Sequence, residues 1–182
     1  MKLSGRGLSR SMVVAAVCVS AAQWSAQPNG GSSQANLKAE SEQLFALANQ
    51  ARTQAKARRL QWDPALAAAA LKHCLRLVAA GPIGGLSHQY DGELPLFGRA
   101  TGAHFDMIEE NVASGPTVSA IHQAWMDSRE HRENLLNPGV DCVGIAVLAD
   151  DGVLYAVADY SHFAAARGMT TRRTAAGECT DF

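Results

Sequence analysis

The sequence predicts an α+β domain, helices packed against a small sheet that is covered on both faces. Two observations carry this. Apolar residues recur at helical spacing through residues 36–59, 64–80 and the stretch around 118–136. The pattern then changes to period two over 141–149 and 153–159, with Asp150-Asp151-Gly152 between them. The second strand sets Val153, Tyr155 and Val157 against Leu154, Ala156 and Ala158. Apolar residues on both faces mean that this hairpin lies inside a sheet covered on both sides.

At 182 residues the chain suits one domain with tails. Its apolar fraction of 47% and charged fraction of 18% are ordinary for a globular protein. The net charge of −1 gives no drive toward nucleic acid or an anionic membrane surface. Residues 1–22 read as an export signal. Lys2, Arg6 and Arg10 are the positive region, 12–19 a short apolar core, and the small residues around Ala22 the cleavage site. That core is too short to span a bilayer, so the mature chain has no transmembrane segment. Cys18 raises the alternative of a lipid-modified cysteine. Residues 23–35 read as a flexible polar linker, 36–163 as the folded domain and 164–182 as a polar tail.

The first helix turns Leu44, Ala48 and Ala51 to one side and ends in Lys56, Arg58 and Arg59. Leu60-Gln61-Trp62 reads as a connector. Asp63 then caps a second helix and Pro64 takes its first position. Leu66, Ala70, Cys74, Leu77 and Val78 form its stripe, with His73 at the edge as a satisfied boundary residue. Residues 83–113 show little periodicity but hold enough apolar side chains to pack over the core and line something. The stretch 124–138, AWMDSREHRENLLNP, is a helix end, a turn and a short helix. Its polar residues are pinned between Ile121 and Trp125 on one side and Leu135 and Leu136 on the other. The plain reading of that cluster is a capped helix end; the sharper one is a site.

The ordered set of motifs supports the sharper reading. It comprises 47–52, LANQAR, and 60–66, LQWDPAL, then Ser87-His88 and 110–113, ENVA. It continues with 124–128, AWMDS, His131-Arg132, 134–138, NLLNP, and 143–147, VGIAV. In this order the chain resembles bacterial members of the CAP superfamily, the cysteine-rich secretory, antigen 5 and pathogenesis-related 1 proteins. The resemblance implies a three-layer α-β-α sandwich with a small central, mainly antiparallel sheet. It also implies a cavity in which His88, Glu110 and His131 match the family's histidines and glutamate. Two departures stand beside them, Glu109 and Glu130 where the family usually has glycine. A second cavity glutamate of plant and animal members falls on Ser128.

Two imidazoles and a carboxylate suit an open zinc site, so His88, Glu110 and His131 are candidate ligands for Zn2+ or another divalent cation. The alternative is a hydrogen-bonded His-Glu-His network without metal. A third arrangement makes Ser128, His131 and Glu110 a nucleophile, base and orienter, against which a helix-terminal serine is ordinarily a cap. His104, His122 and His162 have no partner pattern. The expected protein is a secreted or extracytoplasmic monomer that binds a small apolar or cell-envelope ligand. A metal- or serine-dependent hydrolase and a surface protein with a vestigial cavity are the alternatives. Export leaves Cys74, Cys142 and Cys179, and a Cys142–Cys179 bridge is preferred over three free thiols.

Overall fold

The computed structural model describes residues 30–100 and 105–163, with the backbone alone at 30–36, 82, 83, 105, 106 and 163. The export signal, Cys18, His104, Cys179 and the tail lie outside the described residues. The elements run α1 (Gly30–Gln54), β1 (Gln61–Trp62), α2 (Pro64–Gly84), α3 (Leu96–Arg99) and β2 (Phe105–Gly115). They continue with α4 (Val118–Asp127), α5 (Arg129–Leu136), β3 (Cys142–Asp150) and β4 (Val153–Phe163).

The four strands form one mixed sheet in the order β1-β3-β4-β2, parallel only between β1 and β3. Strands β3 and β4 are central, as their two apolar faces require. Asp151 and Gly152 both have positive φ, 45° and 76°, the geometry of the tight hairpin turn expected there. One face carries Val143, Ile145, Val147, Ala156, Ala158 and Tyr160 against Leu44 and Ala48 of α1 and Ile121 and Trp125 of α4. The other carries Val112, Ala146, Tyr155 and Val157 against Ala70, Cys74 and Leu77 of α2. The result is the three-layer sandwich.

Local signals set most helix ends. Asp63 accepts from the Ala65 and Leu66 N–H groups at 2.8 and 2.9 Å, and Pro64 opens α2. That helix passes the expected stop at Gly81, where φ is 61°, and resumes to Gly84. Thr117 caps α4 through the Ala120 N–H at 3.1 Å. Helix α1 begins at Gly30, inside the stretch read as a linker. Extending an anchored helix adds one hydrogen bond per residue fixed, so it runs upstream of its packed part.

Two expectations are corrected. Leu60-Gln61-Trp62 is more than a connector, since Gln61 and Trp62 pair with Cys142 and Val143 as β1. The aperiodic segment 83–113 contains α3 and most of β2. Strand β2 hid because its middle is Glu109-Glu110-Asn111, with polar residues facing both ways. The register with β4, Glu110 opposite Asp159 and Val112 opposite Val157, makes it a strand.

Arg52 locks the layers at one corner. It is fully buried and donates to four carbonyls: Arg58 at 2.6 Å, Leu135 and Asn137 at 2.9 Å, and Val140 at 3.0 Å. Burial pulls its pKa below the usual guanidinium value. Asn49 closes a ring of hydrogen bonds with Leu60, donating to its carbonyl at 3.1 Å and accepting from its N–H at 2.7 Å.

Candidate functional site

Alternation along β2 decides which acidic residue enters the site. Glu110 points to the α2 side with Val112, and Glu109 points to the opposite side. There Glu109 accepts from the Asn137 amide at 2.9 Å and lines a 490 Å³ hollow with Arg132, Asn134 and Leu136. Glu130 is exposed on the first turn of α5. Neither departure from the family pattern therefore supplies a second carboxylate beside Glu110.

Glu110 is 6% exposed and its two oxygens are both engaged. Oε1 faces His88 Nδ1 at 2.9 Å, and Oε2 accepts from Arg99. Arg99, on α3, is 3% exposed. Its Nη1 donates to the His88 carbonyl at 3.1 Å and lies 3.5 Å from Glu93 Oε1. Glu93 in turn faces His73 Nδ1 at 2.7 Å, and its second oxygen accepts from the Tyr90 N–H at 3.0 Å. His73 Nε2 faces the Ser87 carbonyl at 2.8 Å. Both ring nitrogens of His73 thus meet oxygen atoms. His73 is the satisfied histidine expected from its place on α2, but its partners tie the 85–95 loop to the helix.

Asp159 completes the cluster. It is fully buried on β4, directly opposite Glu110. Among the described residues neither of its carboxylate oxygens has a hydrogen-bond donor. Two carboxyl groups can bond to one another only when one carries a proton. Burial, followed by the charge of Glu110, pushes the Asp159 carboxyl well above the usual aspartate range, so it holds that proton. Burial also pushes Glu110 upward. Its bond to His88 and the charges of Arg99 and His73 outweigh this and hold it below the usual glutamate range. The same bond raises the pKa of His88, against the opposing effect of burial. The cluster reads as ionised Glu110 shared between Arg99 and His88, with neutral Asp159 behind it.

His131 stands apart from these bonds. Among the described residues its ring makes no hydrogen bond; burial and then the charge of His88 lower its pKa, keeping it neutral. Its main chain is fixed: the N–H donates to Ser128 Oγ at 3.4 Å and the carbonyl accepts from Asn111 at 2.9 Å. The structure therefore joins His88 and Glu110 directly and brings His131 within electrostatic reach. Ser128 does not share a helical face with His131. Its backbone is extended, with φ −78° and ψ 131°, and it is the junction where α4 ends and α5 is capped.

The donor set does not fit a cation as it stands. Glu110 has no free oxygen, and the guanidinium on Oε2 already supplies positive charge there. Among the described residues no group of three or more His, Cys, Asp or Glu side chains is placed to hold a metal ion.

Sequence reasoning missed Arg99, Glu93 and Asp159. Asp159 carried a signal, since it lies two residues past Val157 on a strand face that must be covered. Arg99 and Glu93 carried none, being in aperiodic chain. His122 is half-buried and His162 lies 3.2 Å from Asp141, both away from the cluster. Cys142 is disulfide-bonded and Cys74 is a buried free thiol.

The chain is similar in structure to an outer surface protein from Borrelia burgdorferi, with TM-score 0.61 and 22% identity over 69% of this chain and 93% of that one. It is also similar to an extracellular protein containing an SCP domain from Bacillus anthracis, with TM-score 0.64 and 23% identity over 76% and 45% of the two chains. A cysteine-rich secretory protein from Staphylococcus aureus matches with TM-score 0.57 and 20% identity over 69% and 38%. The chain thus spans nearly all of the first protein and under half of the other two. At these identities the likeness shows the fold. A search of curated proteins finds no match. The family model described as the cysteine-rich secretory protein family, CAP, matches residues 45–160. With the motifs in order, the α-β-α layering in place and that match covering most of the domain, the chain belongs to the CAP family.

Proposed function

We propose that the protein is an extracytoplasmic binding module that takes a small apolar or cell-envelope ligand on the α2–α3 side of the sheet. One observation carries this reading. The exposed large apolar side chains of the described residues, Leu71, Leu75, Leu86, Leu94 and Phe97, all belong to α2, the following loop and α3. Solvent-facing apolar residues gathered in one layer mark an interaction surface. His88, whose side chain is 62% exposed, places a polar group of the buried cluster at the surface between Leu86 and Leu94 in the chain. Such a surface suits an amphipathic molecule, with an apolar body on the leucines and Phe97 and a polar end toward His88. Export agrees with the leader-like residues 1–22 and with relatives described as outer surface and extracellular proteins.

A divalent cation on His88, Glu110 and His131 is a second reading, favoured by the accessible His88 beside ionised Glu110. It carries a condition: Arg99 has to leave Glu110. The hydrolase reading draws nothing from Ser128, whose oxygen is used as a cap. Binding of a fluorescent fatty acid to purified protein tests the proposal. Replacing Leu86, Leu94 and Phe97 together by serine should weaken binding at least about tenfold with little loss of stability, because surface substitutions cost about 0.5 kcal/mol or less. Saturable binding unchanged in that variant, or none in wild type, would reject the apolar-ligand reading. Ester turnover abolished by Ser128→Ala would favour the hydrolase instead.

A further inference from the structure

We propose that Arg99 is a resident counter-cation of this site, filling the place that a divalent cation would need and keeping such ions out. Four observations support this. Arg99 is 3% exposed, so its charge is committed to the interior. It bridges two buried carboxylates, Glu110 directly and Glu93 at 3.5 Å. Its Nη1 also donates to the His88 carbonyl at 3.1 Å, which ties the loop carrying one candidate ligand to the guanidinium. Finally, both Glu110 oxygens already have a partner, because His88 faces the other one at 2.9 Å.

The remaining partners complete the pairing: His73 shares Glu93 Oε1 with Arg99, the Tyr90 N–H donates to Glu93 Oε2, and His88 faces Glu110 Oε1. A divalent ion added at Glu110 would share that carboxylate with the guanidinium, and the two positive charges would repel. The inference opposes the cation reading above and is independent of the apolar surface, so each can fail alone.

The test is zinc titration of purified, tag-free protein by calorimetry and thermal melting. Variants are Arg99→Met, the double variant Arg99→Met with His88→Ala, and Arg99→Gln. Wild type should show no 1:1 zinc site that depends on His88, and zinc should leave its melting temperature unchanged. Arg99→Met leaves Glu93 and Glu110 without their shared cation. It should gain a 1:1 site at least about tenfold tighter than any wild-type uptake, with a zinc-dependent rise in melting temperature. Adding His88→Ala should remove both gains. Arg99→Gln keeps one N–H donor for Glu110 and reads the same gain should Arg99→Met not fold. A 1:1 zinc site in wild type that His88→Ala abolishes would overturn the proposal. So would folded Arg99→Met or Arg99→Gln protein that takes up no more zinc than wild type.

Discussion

Glu110 of β2 and Asp159 of β4 are register partners, two carboxyl groups facing each other across an antiparallel ladder on a buried face. Like charges directly opposite are destabilising. The pair persists because Asp159 is neutral while Arg99 and His88 hold Glu110 ionised. The same side chains therefore fix how stability depends on pH.

Asp159 keeps a proton in the folded chain where the unfolded chain has lost it. The unfolded state then binds fewer protons, so stability falls as pH rises from the ordinary aspartate range toward the raised value. Asp159→Asn is neutral in both states and removes that slope. Urea midpoints of the variant should drop less between about pH 5 and about pH 8 than those of wild type. Parallel midpoints in the two proteins would show that Asp159 is ionised when folded.

Arg52 contributes to stability without touching the cluster. Lysine has one compact ammonium and cannot satisfy four carbonyls spread over the segment after α1, the end of α5 and the segment before β3. Arg52→Lys should cost about 3 kcal/mol, since each buried carbonyl left unpaired costs about 1–3 kcal/mol. Equilibrium urea unfolding measures it, and a cost below about 1 kcal/mol would mean that water replaces the guanidinium.

Gly144 lies where β3 meets the first turn of α2. A Cβ there would stand 1.9 Å from the Ala67 nitrogen and 2.2 Å from the Leu66 carbonyl carbon. Both are backbone atoms, so no rotamer relieves the contact. Gly144→Ala should destabilise by about 3 kcal/mol or more, at the upper end of overpacking costs. A melting temperature equal to wild type would show that α2 can shift away from the sheet.

Cys74 is fully buried, its thiol donates to the Tyr155 carbonyl at 3.2 Å, and burial pushes its pKa up to about 12. At about pH 8 almost no thiolate forms, so iodoacetamide should label Cys74 only after denaturation. Labelling in native protein at the rate of a free thiol, followed by mass spectrometry of the peptide, would contradict this packing.

Local chemistry was legible in the sequence wherever it acts within a turn or two. Asp63-Pro64 opened α2, Ser128 stood where a helix begins, and the period-two runs announced the central hairpin. The ordered motifs brought His88 and Glu110 together on the page before the structure did so in space. Tertiary structure alone decided the rest. A polar run such as Glu109-Glu110-Asn111 has no intrinsic strand signal, and it becomes β2 because β4 offers an unpaired edge. A one-residue change of register there would exchange Glu109 for Glu110 in the site. Arg99, Glu93, His73 and Asp159 are ordinary charges in sequence. They form one cluster because a buried charge is tolerated only beside its partner, and those partners come from α2, its loop, α3, β2 and β4. Periodicity reports which face of an element is covered; which charge meets which is set by sheet register and layer packing.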